Sequence, residues 1–426
     1  MNAADTIFAV ASGGGRAAVA VMRLSGPATG QALGRLTGGM LPVARRASLR
    51  RLSDGAGVML DRALVLWMPQ PASYTGEDSA ELHLHAGPAV LGGVATALVA
   101  QGLRPAEPGE FSRRAFLNGR MALTEAEAVA DLVAAETEAQ RNQALRQLDG
   151  ALGRVFDDWA GRLRQLLAEQ EAVIDFPDEA IDAGNAEGTS VLRLVGEIEA
   201  QLADERCGER LRTGLHIAIS GPPNVGKSSL VNALAGRDAA IVSSQPGTTR
   251  DVIEARAIFG GVPVVLLDTA GLRDSDDPVE SEGIRRARTR IADADLVLSV
   301  TEAGSNDLPA ANAIHVASKI DLACGPAGAI GVSVVTGAGL AALRERLDSE
   351  ARRLTQRAGP PPLTQARHRA ACLAAVVHLR EATAAPAAEL RAEELRLAMR
   401  ALGRVTGKIG VEDVLDSVFS QFCIGK

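Results

Sequence analysis

The residues that can do chemistry start at 221–229, GPPNVGKSS. The spacing G-x-x-x-x-G-K-[ST] lets successive backbone N–H groups turn inward on phosphate oxygens, while Lys227 reaches the β- and γ-phosphates and Ser228 holds Mg²⁺. Asn224, Val225, Gly226 and Ser229 complete this cradle. Downstream come PGTTRD at 246–251 and DTAG at 268–271. Asp268 ends an apolar run, from which a carboxylate reaches Mg²⁺ through water, and Gly271 brings a backbone N–H to the γ-phosphate. Thr249 or Thr248 is placed to cap the metal from the loop between them. Next, SKID at 318–321 suits a purine: Asp321 accepts both N–H donors on the Watson–Crick edge of guanine, and the aliphatic part of Lys319 covers the ring. Adenine offers the opposite donor pattern, so a carboxylate here selects GTP over ATP. Ser333 and Val334 follow another apolar run and supply a backbone N–H to the guanine carbonyl.

A Gln after DTAG would orient the attacking water, but Leu272 stands there and cannot. Asn224 can offer an extra oxygen, and Glu280 can carry a negative side chain toward that water.

Other polar signals lie earlier: Arg23 in VMRLSG, then SYTGEDSAELHLHAGP at 73–88 and PGEFSRRAFLNGR at 108–120. His83 and His85 have strand spacing and share a face, so they are either metal ligands or plain strand histidines; with no further Cys/His cluster nearby, the second reading is preferred.

Several elements must position these groups. The apolar run 215–220 predicts a strand before the phosphate loop and 230–234 a helix after it, whose N-terminus favours anions. Residues 1–120 alternate short apolar runs with turns, with a helix over 88–101, and read as an α+β module. Thr124 with Glu127 forms a capping box. Leu152, Phe156, Trp159, Leu163, Leu166, Leu167 and Ile174 stripe a second helix that Pro177 stops, and a third runs from Val191 to about Arg212. After AGPPPL at 358–363, helices are expected over 366–383, 387–404 and 411–419.

The fold class is therefore multidomain α/β, divided as 1–120, 121–213, 214–355 and 356–426. The two helical parts each present an unsatisfied apolar face, which favours one helical domain with the nucleotide module inserted in it over two separate ones.

A chain of 426 residues suits roughly two to four domains. Cys207, Cys324, Cys372 and Cys423 lack CxxC spacing, so neither a disulfide framework nor a zinc site is implied. No basic leader precedes the first apolar residues and no apolar stretch spans a bilayer, so a cytoplasmic protein without membrane association is expected. The net charge of −7 argues against broad sequence-independent nucleic-acid binding.

The segments RLSGP, SYTGED, PGEFSRRAFLNGR, DFPDE, GPPNVGKSSLVNALAGRDAAIVSSQPGTTRD, DTAGLR and the final FCIGK resemble the MnmE (TrmE) tRNA-modification GTPases, and the likeness covers essentially the whole chain. The N-terminal segments and FCIGK are its specific part. The resemblance implies a homodimer that hydrolyses GTP with Mg²⁺ and works in a heterotetramer with the FAD-carrying flavoprotein MnmG (GidA). Together they would add an aminomethyl or carboxymethylaminomethyl group to C5 of the tRNA wobble uridine. The one-carbon unit would come from 5,10-methylene- or 5-formyl-tetrahydrofolate. Folate contacts carried onto this chain are Arg23, Glu81, Arg120 and Lys426. Cys423 is implicated in the modification chemistry, whereas without the family a buried free thiol would be preferred.

The resemblance also implies K⁺ bound by Asn224, Ser243, Gln245 and Thr248, a borrowed charge that offsets negative charge developing on the phosphates. Ser244, Pro246, Gly247, Thr249, Thr269 and Ala270 match the nucleotide contacts, Glu280 the water-orienting glutamate, and Arg250 a further catalytic position. Three departures stand out. Ser318 replaces the usual Asn of NKxD, which predicts retained guanine selectivity with affinity lower by about 1 kcal/mol. Val334 replaces alanine, and Arg120 a common lysine. Two other readings compete: a nucleotide-switched ribosome-assembly factor that binds RNA without modifying it, and a scaffold that has lost efficient hydrolysis.

Overall fold

The computed structural model describes residues 5–13, 17–175, 183–204, 206–236, 254–268, 293–305, 313–356, 359–409, 412–420 and 422–425. The chain divides into two compact units, Met1–Ala130 with Gln147–Glu169 and Leu395–Lys426, and Asp131–Arg146 with Gln170–Glu394.

In the first unit, strands β1 (Ile7–Val10), β2 (Val19–Ser25), β3 (Ser48–Ser53), β4 (Met59–Met68), β5 (Ser79–His85) and β6 (Arg104–Pro105) form a sheet of order β3-β4-β5-β2-β1-β6. Only β1 and β6 pair in parallel. Period-two alternation decides its faces: Ala63, Val65 and Trp67 of β4 are buried while Arg62 and Leu64 are exposed. The buried face packs on α1 (Thr29–Leu36) and α2 (Pro88–Val99) through Leu33, Leu36, Val94 and Leu98. On the other face Ile7 and Ala9 meet Phe111 of α3 (Glu110–Leu117).

Three helices follow: α4 (Leu123–Ala134), α5 (Glu138–Leu148) and α6 (Ala151–Asp175). The expected stripe of α6 is buried from Leu152 to Leu167. The expected capping box is displaced. Thr124 is fully buried inside the first turn and its carbonyl accepts from Gln147, so Glu125 instead accepts from the N–H of Ala122 at 2.9 Å.

The second unit holds a sheet of order β12-β11-β10-β7-β9-β8, built from β7 (Leu215–Ser220), β8 (Glu254–Phe259), β9 (Val262–Asp268), β10 (Leu296–Glu302), β11 (Ile314–Ser318) and β12 (Ile330–Val332). All pairs are parallel except β8 with β9. Near-continuous apolar strands such as Val264–Leu267 fit a sheet covered on both faces. Helices α9 (Lys227–Ala235) and α10 (Leu340–Thr355) contribute Leu230, Leu234, Leu343 and Leu347 to its core. The chain leaves β7 toward β9 on one side and returns at β10 on the other, so the loop after β7 sits at a topological switch point.

The third predicted helix is two helices, α7 (Ala183–Leu202) and α8 (Cys207–Thr213). Arg206 between them takes φ 63°, and Arg369 of α11 (Ala366–Ala384) occupies the break. Its guanidinium donates to the Leu202 carbonyl at 2.8 Å, to Asp204 at 2.5 Å and to Glu209 at 2.8 Å. Helical periodicity cannot announce an arginine arriving from 160 residues downstream. The last helices are α12 (Ala388–Thr406) and α13 (Glu412–Phe419).

Within the first unit, α13 folds back on the start of α4, where Leu415, Val418, Phe419 and Phe422 pack with Leu123 and Ala126. The chain then runs antiparallel to Pro108 at Ile424. Glycines permit the close approach: a Cβ at Gly109 (φ 68°) would lie 2.6 Å from the Phe419 carbonyl, and one at Gly425 (φ 97°) 2.4 Å from that of Val10.

Candidate functional site

The phosphate loop joins the end of β7 to the start of α9, with Gly221, Asn224 and Gly226 at φ 148°, 65° and 92°. Positive φ at these three positions suits a loop whose backbone N–H groups line an anion site at the start of α9, where a helix N-terminus favours negative charge. Lys227 is buried, and its ammonium donates to the carbonyls of Gly221 at 2.9 Å and Pro222 at 2.8 Å, which hold it at the loop mouth. Ser228 donates its hydroxyl to Asp268 at 2.5 Å. Asp268 ends β9 beside Ile219 of β7, so adjacent parallel strands bring together a hydroxyl and a carboxylate that the sequence holds 40 residues apart. Two hard oxygen donors side by side suit Mg²⁺.

At the neighbouring strand ends, Ser318 closes β11 and its hydroxyl donates to the Thr301 carbonyl at 3.1 Å. Lys319 adopts φ 58° with its ammonium 3.2 Å from Glu302, and Asp321 is exposed. Ser333 is buried and accepts from the N–H of Thr336 at 3.2 Å; Val334 is exposed beside it. Residues 243–250, 269–271 and 280, including Ser243, Gln245, Thr248, Thr249, Arg250 and Glu280, lie outside the described residues, as does Lys426.

In the first unit, Arg23 and Glu81 face each other in the β2–β5 register and form an ion pair at 2.9 Å. The guanidinium lies over Tyr74 at 5.2 Å and Phe111 at 5.8 Å, so two aromatic faces fix its plane. Tyr74 in turn shares a hydrogen bond with Ser112 at 2.8 Å. Arg120 lies along Gly76, where an added Cβ would meet its side chain at 3.0 Å, and Asn118 donates to the Thr75 carbonyl. The loop at 73–78 thus links Arg23 to Arg120.

Behind it, Arg114 donates to Asp5 at 2.6 Å and to Glu110 at 3.0 Å, while Arg104 joins the same two carboxylates. Burial pushes the Asp5 and Glu110 carboxyls up, but their hydrogen bonds with the arginines outweigh it and both end below their ordinary values. Tyr74, Glu77 and Arg114 were not singled out in the sequence; each sits in a noted segment, yet only the folded sheet brings Arg114 to 3.3 Å from Glu77 and the Tyr74 ring to Arg23.

His83 and His85 stand on β5 as expected of strand residues. His85 shares a hydrogen bond with buried Asp61 at 2.7 Å, and His83 lies 3.7 Å from Glu81. Among the described residues no group of three or more metal-binding side chains occurs. Cys423 is exposed, so the alternative of a buried thiol is corrected: the turn at Ile424 docks while the cysteine before it faces out. An apolar cavity of about 540 Å³, lined by Phe8, Met22, Leu91, Ala95, Pro105 and Ile424 among others, does not include Arg23, Glu81 or Arg120.

Comparison with known proteins bears directly on this geometry. The family model for the GTP-binding protein TrmE N-terminus matches residues 6–120, and that for the MnmE helical domain matches 123–423. The tRNA modification GTPase MnmE of Gluconacetobacter diazotrophicus is 59% identical, covering 99% of this chain and 98% of its own. That of Granulibacter bethesdensis is 55% identical, covering 99% of each.

The chain belongs to the MnmE family of tRNA modification GTPases.

It carries the N-terminal TrmE domain and helical domain of an MnmE chain, with the phosphate loop in a mainly parallel sheet. Among solved structures, the G domain of the T. maritima FeoB iron transporter is 26% identical over 32% of this chain and 98% of that one, with a TM-score of 0.24, too slight to add to that assignment.

Proposed function

We propose that this chain hydrolyses GTP and couples the cycle to modification of the wobble uridine of certain tRNAs. The observation that carries the reading is the contact of Ser228 with Asp268 at the mouth of the phosphate loop, in a member of the MnmE family. Lys227 offers its ammonium to the β/γ-phosphate oxygens, and Ser228 and Asp268 hold Mg²⁺, Asp268 through water, with Thr249 closing the site. Gly271 gives a backbone N–H to the γ-phosphate, and Glu280 orients the attacking water where Leu272 cannot. Asn224, with Ser243, Gln245 and Thr248, holds a K⁺ whose charge offsets that developing on the phosphates. Asp321, Lys319 and the N–H of Val334 read guanine. Asn224 suits its part: it is exposed at the loop mouth, with an amide oxygen available.

The same reading makes the protein a cytoplasmic homodimer, with the nucleotide module inserted in one helical domain, that joins MnmG and takes its FAD chemistry from that partner. A tetrahydrofolate derivative binds Arg23, Glu81, Arg120 and Lys426, supplying the one-carbon unit, and Cys423 takes part in the modification chemistry. The Arg23 guanidinium, which lies over Tyr74 and Phe111, and the Glu81 carboxylate paired with it fit a flat heterocycle that both donates and accepts hydrogen bonds.

The test is GTP turnover in KCl against NaCl at equal ionic strength, with wild type and Asn224→Ala in parallel. Strong K⁺ stimulation that the substitution removes is expected. Equal rates in both salts would defeat the cation-assisted mechanism.

A further inference from the structure

Position 318 departs from the guanine-reading pattern, since a serine hydroxyl is too short to do what the usual amide does. The fold shows where that hydroxyl goes instead. It donates to the Thr301 carbonyl at 3.1 Å, while the N–H of Ala303 donates to the Ser318 carbonyl at 2.8 Å. Glu302 lies opposite Ser318 in the parallel register of β10 and β11. Lys319, in a left-handed conformation at φ 58°, brings its ammonium to 3.2 Å from the Glu302 carboxylate. The same strand end also abuts the phosphate loop, because a Cβ on Gly221 would lie 2.1 Å from the Val300 carbonyl. Residues 300–303 therefore touch both loops that face the nucleotide.

We infer that the end of β10 is a determinant of guanine-nucleotide affinity in this chain, with Glu302 positioning Lys319 so that its aliphatic stem lies across the base. The inference rests on the GTP reading above. It assigns the tie lost with the amide to two groups outside the recognised motif: the Thr301 carbonyl, which anchors Ser318, and the Glu302 carboxylate, which anchors Lys319. The sign of the effect separates this role from simple electrostatics. Removing a carboxylate close to a polyanionic nucleotide strengthens binding if charge alone matters. Removing the anchor of Lys319 weakens it for the guanine nucleotide, because Asp321 seats only that base under the stem.

The experiment is equilibrium binding of fluorescent mantGDP and mantADP to the full chain, as wild type and Glu302→Ala, with thermal melting to establish that the variant folds. The expected result is mantGDP affinity about two- to fivefold lower in the variant at low salt, the range an exposed ion pair supplies, with mantADP unchanged. The loss should shrink as salt screens the pair. Installing Ser318→Asn in the variant should restore mantGDP affinity. Unchanged or tighter mantGDP binding by the variant, or an equal loss for mantADP, overturns the inference while leaving the GTP reading intact. Wild type that fails to bind mantGDP overturns both.

Discussion

Lys227 is held by two carbonyls of its own loop, so its ammonium is placed before any nucleotide arrives. Lys227→Ala should lower kcat for GTP by about 10²–10³, the cost of losing one preorganised charge at a reacting phosphate. Steady-state turnover checks this, and a loss under about fivefold would remove the assigned role. This much was legible in the sequence because a phosphate cradle is local: its glycines, lysine and serine act within nine residues. The carboxylates of the first unit were not, since Asp5, Arg104 and Arg114 meet only through the sheet. Their pH dependence follows from the lowered values of Asp5 and Glu110, whose ordinary ones are 3.8 and 4.5. A depressed folded value contributes stability that is fully present above the unfolded value and is lost as pH falls from there through the folded one. The melting temperature should therefore hold at neutral pH and fall below about pH 4.5, and Arg104→Ala should flatten that fall while costing about 1–3 kcal/mol at pH 7.

At the scale of elements, the break between α7 and α8 is held by one side chain. Glu209 is pushed up by burial, yet the hydrogen bonds from Arg369 and Arg206 leave it below the usual carboxylate range. Arg369→Ala leaves buried Asp204 and Glu209 without that partner and should cost about 2–4 kcal/mol in denaturant unfolding. Arg380→Ala, which removes an exposed pair between α11 and Glu199 of α7, should cost under about 1 kcal/mol. Equal losses would mean that the buried network is no stronger than a surface contact. Periodicity made α6 readable, because its stripe from Leu152 to Leu167 comes from consecutive turns. It failed at α8, where the arrival of Arg369 breaks the expected helix, and at the start of α4 the helix forms with a different cap from the expected one.

For the whole molecule, the net charge of −7 bears on its dealings with RNA. Affinity of the isolated chain for random RNA should fall below detection near 0.15 M salt, checked by titration against salt, since few counterions would be released. The resemblance in FCIGK marked the final residues as special, but not their place: Ile424 pairs with Pro108 and α13 caps the start of α4. No pattern along the chain encodes so distant a return. It has a consequence for synthesis on the ribosome. The strands of the first unit emerge early, yet the segment that covers Leu123 and Ala126 is translated roughly 300 residues later. At about 5–20 residues per second, that apolar surface waits some tens of seconds without its own cover. A nascent chain stalled before α13 should expose it to proteases and chaperones, and the emergence of α13 is what covers that surface.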